Sequence, residues 1–279
     1  MYLVSMSQLI SVSRREGGPN EGFPFDVPAI RSLVEMDLGA RVTLFVGENG
    51  TGKSTLLEAL AIAAALPAVG SGGLARDPTL DAQRRLADAL RLVWRIRNHR
   101  GFFLRAEDFF GFQKAVVRGR AEHEAELRRL DAELQDAGRA ARDRALGVHR
   151  GSIEALRSRY GDDPDARSHG EAFLALFKAR LVPGGLFMLD EPEAALSPQS
   201  QLAFLSMIRQ AVEEGGQFVI ATHAPILMAI PGATIYAFDG GEIVRSGFEE
   251  LESVTVVRDF LQSPQRFLRH IWSAPPGES

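Results

Sequence analysis

Short apolar runs punctuate the chain at 41–46 (RVTLFV), 101–107 (GFFLRAE), 185–189 (GLFML) and 217–221 (QFVIA). Each is bounded by charged or glycine-rich sequence, the pattern of a short, buried strand. Helical spacing lies between them, at about 53–66, 79–97, 169–181 and 198–213. The segment 234–247 (TIYAFDGGEIVRSG) reads as two strands joined by a Gly-Gly turn. From 114 to 160 the chain is charged, with both signs mixed. Leu127, Leu130, Leu134, Ala137 and Ala141 keep 3/4 spacing there for about two heptads, too few for a coiled coil, and Gly138 interrupts them. This stretch reads as an amphipathic helical insertion. The alternation predicts an α/β fold: a mainly parallel, helix-covered sheet, a small antiparallel β portion, and a helical insertion at about 70–168. The whole chain, 1–279, is expected to form one domain, without internal repeats.

Composition narrows the function classes. With 279 residues, 45% of them hydrophobic, the chain can bury a large core. The lack of cysteine excludes disulfides and thiolate metal sites, and suits a reducing, cytoplasmic setting. The longest apolar stretch, 59–69, is too short to span a bilayer and contains Pro67. Near the N-terminus the arginines follow the apolar residues, the reverse of a secretory signal. No direct membrane insertion is expected. A net charge of −4 supplies no global basic field, so a nucleic-acid partner would need a local face. Arg91, Arg95, Arg97, Arg100 and Arg105 around Trp94, Phe102 and Phe103 are the candidate for one, or a solvated helix face followed by a core strand. Only three of the 32 basic residues are lysines, so a lysine kept in a glycine loop stands out.

That lysine is Lys53. The segment GENGTGKST fits G-x-x-x-x-G-K-[ST] from Gly47 to Ser54, between a predicted strand and a predicted helix. Gly47, Gly50 and Gly52 let the backbone N–H groups of the loop, with Asn49 and Thr51, turn towards phosphate oxygens, and the helix N-terminus adds positive potential. Lys53 would reach the β- and γ-phosphates of ATP, Ser54 would ligate Mg²⁺, and Thr55 is placed for the α-phosphate. LFMLDEPEAALSP then ends a strand with an acidic pair. At the carboxyl end of a parallel strand, Asp190 is placed to hold Mg²⁺ through water, and Glu191 to orient and deprotonate the attacking water. A solvated strand end before Pro192 is the plainer alternative.

Three further features join these. SHGE at 168–171 begins 22 residues before Asp190, AALSP follows at 194–198, and ATHAP at 221–225 ends a strand with His223. Together they resemble the ABC-type P-loop ATPases: SHGE stands where their signature motif does, AALSP looks like a D-loop, and His223 like the switch histidine. The soluble branch is more similar still, with the chromosome-structure (SMC), break-repair and OLD-type ATPases. Most similar are small bacterial AAA-family proteins carrying FPF-x-x-PAI, FFLRAE-x-FF, DEPEAALSP and ATH-x-PIL. The resemblance runs from about residue 23 to about 270.

It implies a head-to-tail homodimer that sandwiches two ATPs, with Ser168 and Gly170 touching the γ-phosphate held by Lys53 across the interface, and with Glu191, His223 and Lys53 catalytic. Ser168 and Glu171 also make a capping box, a role that needs no ATP. The usual signature has two adjacent glycines; here His169 and Gly170 fill those positions. No clear Q-loop glutamine is found, and Glu107 is the positional candidate, which could bind Mg²⁺ through water. Phe23 and Phe25 are candidates for stacking on adenine. ATP hydrolysis coupled to an unidentified partner, in DNA repair or phage defence, is the leading expectation. A transporter's ATP-binding subunit and a nucleotide-gated module with little turnover are the rivals.

Overall fold

The computed structural model describes residues 8–69, 78–97, 99–135, 138–160 and 169–272. The first half holds β1 (Leu9–Arg14), α1 (Pro28–Ser32), β2 (Glu35–Asp37), β3 (Val42–Val46), α2 (Lys53–Ala63), α3 (Asp81–Ala89), β4 (Leu90–Trp94), β5 (Gly101–Arg105) and α4 (Ala106–Glu133). The second half holds α5 (Arg139–Tyr160), α6 (His169–Arg180), β6 (Leu186–Asp190), α7 (Pro198–Glu213), β7 (Gln217–Ala221), α8 (Pro225–Met228), β8 (Thr234–Asp239), β9 (Glu242–Ser246), α9 (Glu252–Gln262) and α10 (Pro264–Ile271).

Six strands form the central sheet in the order β5-β6-β7-β3-β8-β9. Neighbours are parallel from β5 to β8, and only the edge strand β9 runs antiparallel. The expected α/β class and mainly parallel sheet are therefore present. Burial on both faces explains the unbroken apolar runs. Alternate residues feed two cores: Phe45, Met188 and Val219 face α2, while Leu44, Phe187 and Phe218 face α6 and α7. The second core is built on aromatic contacts, with ring centroids of Phe177 and Phe204 4.7 Å apart and those of Phe187 and Phe218 4.9 Å apart.

The antiparallel portion is larger than the sequence suggests. Besides the β8–β9 hairpin, β2-β1-β4 makes a separate three-stranded antiparallel sheet. The helix expected over 79–97 accordingly stops at Ala89, and Leu90–Trp94 continues as a strand on β1. Gln217 joins the two sheets. Fully buried, it donates to the carbonyls of Leu9 (2.8 Å) and Leu38 (2.6 Å), and its Oε1 accepts from the N–H groups of Gln8 (3.0 Å) and Leu9 (2.9 Å).

The charged stretch is a helical hairpin, α4 against α5. Arg142 binds Asp131, and His149 meets His123 with Nδ1 atoms 3.1 Å apart, so residue numbers fall along one helix as they rise along the other. The leucine series therefore does not run along one helix: Leu127 and Leu130 lie on α4, Ala141 lies on α5, and Ala137 lies outside the described residues.

Candidate functional site

The parallel order puts β6, β7 and β3 side by side, with Asp190 beside Ala221 and Ala221 beside Phe45 in register. The loops leaving their carboxyl ends thus converge, and carry the glycine loop, Asp190–Glu191 and Thr222–His223.

The glycine loop needs its glycines. Gly47 has φ +141° and a Cβ there would lie 2.5 Å from the Phe238 carbonyl oxygen. Gly52, at φ +102°, caps α2, and its Cβ would lie 2.9 Å from Val27 Cγ1. Asn49 and Gly50 are exposed; Thr51 donates to the Glu48 carbonyl (2.9 Å), and Thr55 is half-buried in the first turn of α2. Lys53 is buried, and its Nζ donates to the carbonyls of Gly47 (2.8 Å) and Glu48 (2.6 Å). Burial pulls its proton affinity down, against the upward pull of Glu191, Asp190, Glu193 and Glu48.

Ser54 Oγ donates to Asp190 Oδ1 at 2.9 Å. Asp190 is buried, and desolvation, above all, pushes its pKa up to about 7. Glu58 and Glu191 push the same way, while the Ser54 hydrogen bond and Arg105 oppose them. A cleft of about 350 Å³ opens here, lined by Ser54, Glu58, Arg105, Ala106, Glu107, Asp190, Glu191 and Ala194. Glu107 is on its rim, largely exposed and 3.4 Å from Arg105 Nη1. It stands in the first turn of α4 rather than in the strand, because the helix begins at Ala106.

Glu191 adopts a left-handed backbone (φ +47°), and its N–H donates to the Ala221 carbonyl at 2.9 Å. His223 Nδ1 is 3.8 Å from Glu191 Oε1 and 3.3 Å from Glu193 Oε1. Gly170 lies at the start of α6, where a Cβ would come within 3.1 Å of Ser200 Oγ and 3.4 Å of the Ala195 carbonyl oxygen. This brings the SHGE segment against AALSP; Ser168 itself lies outside the described residues.

Of the stacking candidates, Phe25 is wholly buried, its ring under the guanidinium groups of Arg14 (5.5 Å) and Arg85 (5.7 Å), so it offers no face to a base. Phe23 is exposed. Phe102 and Phe103 are core residues and Arg105 is buried 2.8 Å from Glu58, so these three are not part of an exposed basic face, while Arg91, Arg95, Arg97 and Arg100 are exposed.

Two features have no counterpart in the sequence reading. One is the buried Glu58–Arg105 ion pair, in which Glu58 also accepts from Gln83 Nε2 (2.7 Å). The other is Glu193, whose Oε1 accepts from Thr222 Oγ1 (2.8 Å) and the His223 N–H (2.7 Å).

Two family models match the chain. One, described as an AAA domain, covers residues 29–67; the other, described as an AAA domain, putative AbiEii toxin, Type IV TA system, covers residues 172–229. Between them they hold the glycine loop, the acidic pair and His223. The L-cystine transport system ATP-binding protein TcyN of Escherichia coli is 25% identical, over 74% of this chain and 78% of that protein. The cytochrome c biogenesis ATP-binding export protein CcmA of Rhodospirillum rubrum is 29% identical, over 70% of this chain and 73% of that protein. Among solved structures, the Smc head domain of Pyrococcus furiosus, bound to part of ScpA, overlays with a TM-score of 0.45 at 12% identity, over 91% of this chain and 99% of that one.

Proposed function

We propose, from the premise that this chain is a P-loop ATPase of the ABC type, that it binds MgATP on the 47–55 loop and hydrolyses it at the interface of an ATP-dependent homodimer. The observation that carries this reading is the convergence of Lys53, Ser54, Asp190, Glu191 and His223 at the ends of three adjacent strands. The chain is taken as one ATPase domain bearing the α4–α5 hairpin as an insertion.

The residues fit the groups assigned to them. Lys53 has turned onto its own loop carbonyls, and phosphate oxygens would replace those acceptors. Ser54 Oγ and Asp190 Oδ1, 2.9 Å apart, are hard oxygen donors suited to Mg²⁺; Ser54 would ligate the ion, and Asp190 and Glu107 would hold it through water. When bound, Mg²⁺ supplies charge neutralisation to the phosphates and favours ionised Asp190. Glu191 orients and deprotonates the attacking water, and its left-handed backbone turns it out of the strand. His223 senses the γ-phosphate. In the dimer, Ser168 and Gly170 face the γ-phosphate held by the other protomer, aided by the N-terminus of α6.

The coupled work falls to an unidentified partner, in DNA repair or phage defence. A second reading, the ATP-binding subunit of a transporter, is favoured by the names of the two relatives above. No helix among the described residues is long and apolar enough to cross a membrane. Co-purification with a multi-spanning membrane protein would decide for it. For the leading reading, Glu191→Gln is expected to retain ATP and to elute with MgATP at twice the 30.5 kDa chain mass. A Glu191→Gln protein that turns ATP over normally removes Glu191 from the mechanism.

A further inference from the structure

Glu193 is an acidic side chain with almost no access to water: its side chain is 5% exposed. It does not enter the mechanism above. It lies in the short 3-10 turn Pro192–Ala195, directly after the left-handed residue Glu191. That turn folds Glu193 back beneath the end of β7. One oxygen, Oε1, accepts from Thr222 Oγ1 at 2.8 Å and from the His223 N–H at 2.7 Å. Thr222 Oγ1 in turn accepts from the Ala224 N–H at 3.1 Å. The same Oε1 stands 3.3 Å from His223 Nδ1, closer than Glu191 at 3.8 Å. The other oxygen, Oε2, is buried without a hydrogen-bond partner. Burying a carboxylate with one oxygen unmet is costly, so its presence calls for a use.

We propose that Glu193 is the positioning residue of His223, locking the loop after β7 and keeping the proton of the neutral imidazole on Nδ1. Both carboxylates near the ring face Nδ1, which directs Nε2 away from them. The partner of one ring nitrogen sets the tautomer, and therefore what the other nitrogen presents. Without the carboxylate, the ring reverts to the Nε2–H form that a free, neutral histidine side chain favours, and Thr222 Oγ1 and the His223 N–H lose their shared acceptor. The ring-proton part stands on geometry alone; the kinetic part rests on the reading of His223 as the γ-phosphate sensor.

Nitrogen-15 spectra of ring-labelled histidine in the nucleotide-free protein test this, with His223 assigned from the signal lost in His223→Ala. Wild-type His223 is expected as the Nδ1–H tautomer, and Glu193→Ala moves it towards Nε2–H. ATP turnover by Glu193→Ala falls on the order of ten- to a hundredfold, with KM within about threefold. Glu193→Gln, which keeps an oxygen acceptor, recovers part of that loss. Should the alanine variant not fold, Glu193→Gln must still displace the His223 ring signals. Unchanged ring signals in the folded variants overturn the proposal. A shifted tautomer with undiminished turnover upholds the positioning role and overturns the sensor reading of His223 instead.

Discussion

Replacing Asp190 with asparagine should stabilise the nucleotide-free protein while destroying its response to MgATP. Burial raises the Asp190 pKa from 3.8 to about 7. The folded state therefore holds a proton that the unfolded chain releases between those two values. Stability contributed by this group is lost as pH rises from about 4 to about 7, and above that the ionised carboxylate is a constant cost. About three pKa units at 1.36 kcal/mol each set that cost near 4 kcal/mol, as a ceiling, because the cleft opens to water. Asparagine removes the charge and still accepts from Ser54. We expect Asp190→Asn to gain about 2 kcal/mol or more at pH 8, or roughly 4–8 °C in Tm. The gain should shrink as pH falls towards 5. Urea denaturation in EDTA from pH 5 to pH 8 reads this directly. MgATP should then raise the stability of wild type and leave Asp190→Asn nearly unmoved. A variant less stable than wild type at pH 8, or a gap independent of pH, would refute the idea that burial holds Asp190 protonated.

Gln217→Leu should cost about 3 kcal/mol or more, because it strands the buried N–H groups of Gln8 and Leu9 and the carbonyls of Leu9 and Leu38. A loss below about 1 kcal/mol in urea denaturation would mean that the two sheets are held together by other contacts. Arg105→Met should cost about 3–5 kcal/mol by leaving Glu58 buried and uncompensated, and adding Glu58→Met should recover most of it. A double-mutant cycle with additive losses would show that the pair is not coupled.

Much of the central sheet is legible in the sequence, because its signals are local. Val42–Val46, Gln217–Ala221 and the hairpin around Gly240–Gly241 are apolar runs with glycine punctuation, and the helix Pro198–Glu213 follows a serine cap, Ser197. The second sheet is not legible in this way. Leu90–Trp94 pairs with Leu9–Arg14, some eighty residues earlier in the chain, and its alternation is too short to compete with the helical pattern that runs into it. The same limit governs the site. The glycine loop and Asp190–Glu191 are contiguous motifs. Glu193 looks like the solvated start of a helix after proline, and its burial depends on Glu191, a non-glycine residue in the left-handed region that no residue type announces. The Glu58–Arg105 pair joins α2 to β5, and nothing in either segment marks the other. Phe25 reads as a stacking candidate beside Pro24, yet it fills the core beneath two arginines.

The steady-state ATPase rate across protein concentrations, with Glu191→Gln as the blank, bears most directly on dimer-dependent hydrolysis. A rate that rises more than linearly with protein, and vanishes in Glu191→Gln, is the predicted result. A rate strictly proportional to protein at every concentration, or one equal to the Glu191→Gln blank, would contradict it.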